Sequence, residues 1–435
     1  DALRRLRADP ERMTAIRDSW RALWSSRLLV WVAGVATIVA LGWGPPRKAF
    51  DPPGVTKGFG WLGDLLAAPA ARWDSAWYLV IARFGYRPDL GVYTRSREAF
   101  FPLYPLGIRG GTALGLPPIA AGVLISTAAL ALALYGIHRL TTLELRSLAP
   151  AGVRPGEVAR LAVLLMAFAP MAFYLSAVYS ESLYLALSVG LFLCARSGKW
   201  AWVGVFGALA TATRSTGLVL LVPALWLYLY GPREDLVPLA RAGLGPRFAL
   251  RRDVLWLALI PAGAVAYGVY LGLSGGDFLT PVHSQDAWGR HFAGPYVGVW
   301  DGLRAALDGA RQLLSGQQHH VYFAAPGSAF VSAEHNILLF VFLAAGLAAF
   351  IGVARRLPAA YALYVLAALA VPLSYPVGSQ PLMSMPRFLM VLFPMAIWLA
   401  MWLSERPRAV RPVLVLSACS MVFFLADFAT WHWVA

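Results

Sequence analysis

Apolar residues run along this chain in blocks, many of roughly 17 to 22 residues, separated by short polar links and by two long ones. A block of that length crosses about 30 Å of hydrocarbon as a helix. Eleven spans are expected: 27–43, 117–138, 159–175, 182–196, 200–213, 216–230, 254–272, 335–353, 357–374, 388–403 and 412–431. The pattern therefore predicts an all-α polytopic membrane protein. It forms a single transmembrane domain over 1–435, because the polar stretches are too small for a second core.

Composition agrees. Of the 435 residues, 59% are hydrophobic and only 14% charged, and the mean hydropathy is +0.62. Soluble domains carry about 25% charged residues. The net charge of +15 would suggest nucleic acid in a soluble protein. Here the charges sit in links between apolar blocks, so membrane orientation and anionic lipid headgroups account for them better, and no nucleic-acid partner is expected. Cys194 and Cys419 both lie in apolar blocks, so neither a disulfide framework nor a metal cluster is implied. Lys is rare, Asn336 is the only Asn, and no glycosylation sequon exists, which fits a bacterial protein. The polar, Arg-rich start does not have the form of a cleavable signal peptide.

Basic residues orient the map. With 1–26 placed in the cytoplasm, most Lys and Arg fall on cytoplasmic links such as 231–253, Arg355 with Arg356, and "SERPRAVR". The C-terminus is then outside, in what is expected to be a bacterial inner membrane. Two long extracytoplasmic loops follow, 44–116 and 273–334, and loops of that length are usually functional. In the first, Trp73, Trp77, Ile81 and Phe84 form one stripe at helical spacing, which predicts a short interfacial helix starting at Asp74. Pro102 and Pro105 in "FFPLYPLGIR" are expected to prevent a regular helix there.

Acids are few on the outer side, and Asp74 stands out among its indoles. A carboxylate held partly dehydrated there would make a good general base; as the first residue before "SAWYLVIA" it also reads as a helix N-cap. Tyr179, Ser180 and Glu181 in "YSES" sit at an outer mouth between two spans, where they either contact a headgroup or close a polar hairpin. Arg214, Ser215 and Thr216 lie between two spans; an arginine at that depth meets an anion or snorkels. Arg387 starts another span as a second phosphate ligand or an interfacial anchor. Asp89, Asp286 and the histidines at 283, 291, 319, 320 and 335 lie in the outer loops, with no zinc-like spacing. No Gly-rich phosphate loop is present, so a lipid-linked substrate is favoured over a soluble nucleotide.

In order, "RWDSAWYLVIARFGY", "FFPLYP", "YSES", "RSTG" and "PRFLMVLFP" resemble the PIG-V family of membrane mannosyltransferases, within the GT-C class of glycosyltransferases. The resemblance implies a GT-C-like bundle of about 11 transmembrane helices with its active site on the extracytoplasmic face. It implies a polyprenyl-phosphate mannose donor and a lipid or glycolipid acceptor, with membrane lipids around both; no cofactor is expected, and no metal-ligand pattern is visible in the sequence. Asp74 matches the acid of the family's Trp-Asp motif, the expected catalytic base. Arg214 and Arg387 are assigned to the donor phosphate; Trp73, Tyr78, Tyr179, Ser180, Glu181 and Ser215 are assigned to substrate binding. The family's first motif often has His before Trp-Asp, where this chain has Arg72. The expected reaction is an inverting transfer. A lipid-sugar flippase is the main rival, but it calls for ionisable groups near the midplane, and here the spans are nearly free of charge. A scaffold subunit of a larger synthase is the third reading.

Overall fold

The computed structural model describes residues 9–44, 50–86, 96–148, 154–233 and 245–434. The first eight residues of the expected cytoplasmic segment, Asp89 in the first outer loop, and Arg241 in the link 231–253 lie outside the described residues. Every regular element among the described residues is helical, and only two isolated bridges pair extended backbone.

Helix α1 spans Pro10–Leu41. Asp9 caps it, its side chain accepting from the amides of Glu11 and Arg12, and Pro10 occupies the first turn. Gly42, at φ +81°, ends it. At 32 residues it is about 48 Å long, more than a bilayer core needs. The expected cytoplasmic segment is therefore largely a continuation of the first span. Exposed Trp20 and Trp24 flank Arg21 on its early turns, as residues at a membrane interface do.

The first long loop holds α2 (Gly60–Ala67), α3 (Ser75–Phe84) and α4 (Leu103–Ala113). Two expectations change here. Helix α3 is not one-sided: every side chain from Ser75 to Ala82 is buried, because neighbouring segments cover its polar face as well. Pro102 and Pro105 start a regular helix instead of preventing one, since neither needs an amide bond in the first turn.

Next come α5 (Pro118–Leu148), α6 (Pro155–Ala167), α7 (Glu181–Arg196), α8 (Trp200–Thr213), α9 (Leu221–Tyr230) and α10 (Ala262–Leu273). The second long loop contains α11 (Pro295–Ser315), and α12 (Ala329–Arg356), α13 (Ala359–Leu373), α14 (Met385–Met390), α15 (Phe393–Ser404) and α16 (Pro407–Ala429) complete the chain.

All eleven apolar blocks lie on helical segments, but among the described residues four helices are long and apolar enough to span alone: α1, α5 as far as Arg146, α12 and α16. A fifth would be the turn Arg252–Leu259 with α10, bent by 44° across Pro261. The others are short or broken. Block 159–175, for example, stops as α6 at Ala167 and resumes as a tight turn at Ala172–Leu175. Carbonyls at this break are met from other helices: Arg27 of α1 donates to Ala167 O and Ala172 O, and also to Ser176 Oγ, at 2.7–2.9 Å, and Ser417 Oγ of α16 donates to Phe168 O at 2.8 Å. That is how irregular backbone is satisfied inside a membrane bundle.

Glycines permit the closest helix contacts. A Cβ on Gly352 of α12 would lie 1.9 Å from the Trp398 ring of α15, and one on Gly298 of α11 would lie 2.1 Å from Leu373 O. One large apolar core joins α1 and α3–α9 with α12–α16.

Candidate active site

Two turns, far apart in sequence, interlock at one end of the bundle. One is Arg72–Trp73–Asp74, before α3. The other is Tyr179–Ser180–Glu181, before α7. The Tyr179 hydroxyl accepts the Asp74 amide at 3.1 Å and donates to Arg72 O at 3.0 Å. The Tyr78 and Ser180 hydroxyls are bonded at 2.8 Å, and the Val178 amide donates to Ala70 O at 2.9 Å. Trp73 takes φ +56°, a left-handed conformation rarely adopted by a bulky residue. Strain of this kind persists only where surrounding contacts over-determine it, and it clusters at functional sites. Here Trp73 is held edge-to-face by Trp431 and Trp433 of the C-terminal segment. Buried Arg72 lies 4.8 Å over the Trp431 ring; burial pushes its guanidinium down to about 10, against the pull of Asp51 and Asp64.

Asp74 occupies the N-cap position of α3, but its side chain accepts no helix amide. It turns to Arg387, whose Nη1 lies 2.6 Å from Asp74 Oδ2. The Arg387 Nε stands 3.4 Å from Glu181 Oε1, and Arg214 Nη1 reaches the same oxygen at 2.5 Å. The order along the cluster is thus Asp74, Arg387, Glu181, Arg214. Glu181 is 1% exposed, and its Oε2 has no hydrogen-bond partner among the described residues. Burial works against the Arg387 charge, but Asp74 and Glu181 outweigh it and hold the guanidinium well above its usual range. The Tyr179 phenol is raised by burial and by Asp74, so it stays a neutral hydroxyl.

The sequence-chosen residues divide into three groups. Asp74, Glu181, Arg214 and Arg387 meet in one ion-paired cluster. Tyr78, Tyr179 and Ser180 are buried behind it with their hydroxyls engaged, and Trp73 flanks it. Ser215 stands apart: its side chain is exposed, and no hydrogen bond ties it to the cluster among the described residues. Helix α14, which presents Arg387, begins after Ser384, itself at φ +68°.

Two contributors escaped the sequence reading. One is the C-terminal "WHW" segment, whose indoles wall Trp73. The other is Arg290, from the second long loop, a half-buried cation beside Phe388. Nothing in the local pattern "AWGRHF" marks it, since no apolar period surrounds it. On the other side of α3, Trp77 stacks on Phe50 at 4.3 Å and meets Trp288 edge-on. The loop histidines His283 and His291 pair with Asp277 and Asp286 at 3.2 and 3.3 Å in exposed positions. No three His, Cys, Asp or Glu side chains gather as a metal site among the described residues.

Comparison with known proteins bears on residues 47–242, which match the family model described as mannosyltransferase (PIG-V). That stretch contains Asp74, Glu181 and Arg214. Mouse GPI alpha-1,6-mannosyltransferase 2 is 34% identical over 180 residues, 40% of this chain and 34% of the mouse protein. Its human counterpart is 34% identical over 190 residues, again 40% and 34%. The matched stretch thus spans about a third of the length of these relatives. Among solved structures, an oligosaccharyltransferase from Archaeoglobus fulgidus aligns with 94% of this chain and 55% of its own, at 14% identity and a TM-score of 0.41. The likeness to the PIG-V family read from the motifs holds over this stretch, and "PRFLMVLFP" lies beyond it.

Proposed function

We propose, from the kinship of residues 47–242 with the PIG-V mannosyltransferases, that this integral membrane protein is itself a mannosyltransferase. It moves mannose from a polyprenyl-phosphate donor to a lipid or glycolipid acceptor, with inversion, at the extracytoplasmic face of a bacterial inner membrane. One observation carries the reading. Asp74 sits at a helix N-cap yet forgoes the cap, and its Oδ2 faces Arg387 while Oδ1 accepts no hydrogen bond among the described residues. A structural cap would have spent that oxygen on the helix.

In the transfer, the acceptor hydroxyl gives its proton to Asp74 as its oxygen bonds to the mannose anomeric carbon. The bond from that carbon to the phosphate oxygen breaks, and its electron pair leaves with the phosphate. Arg387 and Arg214 face the growing negative charge, each still offering N–H groups beyond those spent on the carboxylates. The departing phosphate is a good leaving group and needs no strong acid behind it.

Purified protein incubated with labelled polyprenyl-phosphate mannose and a membrane lipid extract tests the reading. Asp74→Asn should lower turnover about 10²- to 10⁴-fold while the protein stays folded. Near-wild-type turnover would remove Asp74 as the base. Donor crossing liposomes without sugar transfer would make the protein a flippase.

A further inference from the structure

We propose that Arg290 is the principal ligand of an anionic phosphate in this site and that the site is charge-matched to a phosphodiester. The inference deepens the mannosyl-transfer reading and rests on it for the identity of the ligand.

Three guanidiniums surround a single ring. The carbons at the centres of Arg214, Arg387 and Arg290 lie 5.6, 5.7 and 5.9 Å from the Phe388 centroid. Two of them are committed: Arg214 to Glu181, and Arg387 to Asp74 and Glu181. Arg290 pairs with no carboxylate among the described residues; its Nη2 reaches only Met383 O, at 3.3 Å. Burial, then neighbouring Arg387, depresses its guanidinium to about 10, which still leaves it charged near neutral pH.

Its backbone is held in place. Arg290 forms an antiparallel bridge with Val377, and the Ala293 amide donates to Ser374 O at 2.8 Å. The second outer loop is thereby fixed against the segment between α13 and α14, and the guanidinium is delivered to the cluster by its backbone pairing. An arginine half removed from water with one carbonyl partner retains several unused N–H groups, arranged in the fork that suits phosphate oxygens.

Charge counting points to the ligand. Three cations face two carboxylates, Asp74 and Glu181, leaving an excess of one positive charge. A polyprenyl mannosyl phosphate is a phosphodiester with one negative charge and completes the balance. A sugar diphosphate nucleotide would overfill it. On transfer the diester becomes a monoester, whose second ionisation lies near pH 6. The extra charge then appears beside Arg290, the one of the three cations that forms no ion pair with a carboxylate among the described residues. The same group thus binds the donor and stabilises the leaving phosphate.

The test measures binding apart from turnover. Native mass spectrometry of the full-length protein in detergent would compare undecaprenyl mannosyl phosphate, a phosphodiester, with the mannoside of undecaprenol, which lacks the phosphate. The wild type should prefer the phosphate. Arg290→Gln should reduce that preference about 10- to 100-fold, as losing charge-assisted hydrogen bonds does. Arg290→Lys should retain part of it, and Arg311→Gln, on the exposed side of α11, all of it. Full preference in Arg290→Gln, or none in the wild type, would overturn the assignment. Should Arg290→Gln not fold, Arg290→Lys decides: a several-fold loss supports it and an unchanged preference overturns it. Inorganic phosphate competing at equal concentration would overturn the lipid-borne source; failure to compete supports it. If Arg290 behaves as expected but the wild type transfers no mannose, the phosphate site stands and the transferase reading falls.

Discussion

Glu181 is the residue on which the cluster's electrostatics turn, and Glu181→Gln isolates its contribution. One oxygen of this fully buried carboxylate serves two arginines, at 2.5 Å from Arg214 and 3.4 Å from Arg387. Removing one partner of a buried pair costs about 3–5 kcal/mol when the other charge is left uncompensated. Arg387 is not left so, because Asp74 remains 2.6 Å away. The orphan is Arg214, whose side chain is 15% exposed and keeps some access to the rim. The expected loss is therefore in the lower part of that range, about 3 kcal/mol.

Arg214→Met should cost about 1–2 kcal/mol, for it strands a carboxylate that Arg387 still faces. If the loss in Glu181→Gln is electrostatic, then Glu181→Gln with Arg214→Met should cost less than the two singles combined, by about 1.5–2 kcal/mol. The assay is reversible unfolding of the four proteins in mixed micelles, read by near-ultraviolet circular dichroism. Additivity within about 0.5 kcal/mol would refute the argument. It would mean that Glu181 acts through packing and that the two arginines do not compete for its charge.

Two further outcomes follow from the bundle. Arg27→Met removes the bonds to Ala167 O, Ala172 O and Ser176 Oγ at the break between α6 and the turn at Ala172–Leu175, and leaves the Ser417 bond to Phe168 O in place. A loss of about 3 kcal/mol is expected, with earlier hydrogen exchange in residues 167–176; unchanged protection there would show that other groups satisfy the break. Gly352→Ala drives a methyl group into the Trp398 ring. It should cost about 2–3 kcal/mol in the same unfolding assay and much less in a Trp398→Ala background; an equal cost in both backgrounds would place the strain elsewhere.

Charge scarcity made part of the site legible. In a chain only 14% charged, an acid or arginine at the edge of an apolar block is costly unless partnered. Asp74, Glu181, Arg214 and Arg387 each stood at such an edge, and they are one another's partners. The partnering itself could not be read. Asp74 matched an N-cap pattern, and only the position of Arg387, 313 residues later, shows where the carboxylate goes. Arg290 was hidden for the opposite reason. In a polar loop a cation raises no question, and its burial arises from backbone pairing with Val377 that no local period announces.

The fold shows the same division. Block lengths identified the helical segments, because burying about 20 apolar residues in lipid dominates every competing term. They overstated continuity where Pro170 and Pro261 lie, since a break costs little once Arg27 or a neighbouring helix takes up the freed carbonyls. The stripe on α3 misled for a related reason. A one-sided pattern reports which face must be buried, and it is silent about whether later segments also cover the other.

The cluster also divides along the chain in a way that bears on how phosphate affinity arises. The stretch shared with the PIG-V family supplies Asp74, Glu181 and Arg214, two anions to one cation. By itself that constellation would repel a phosphate. Arg290 and Arg387 come from the remainder of the chain and reverse the sign. On the proposed function, the proton acceptor is thus carried by the shared stretch, whereas attraction for an anionic donor arises once α14 and the second long loop have packed against it. A substitution that loosens either contact, at Val377 or at Ser384 for example, should therefore weaken donor binding before it disturbs the turn that holds Asp74, which Tyr179 fixes independently.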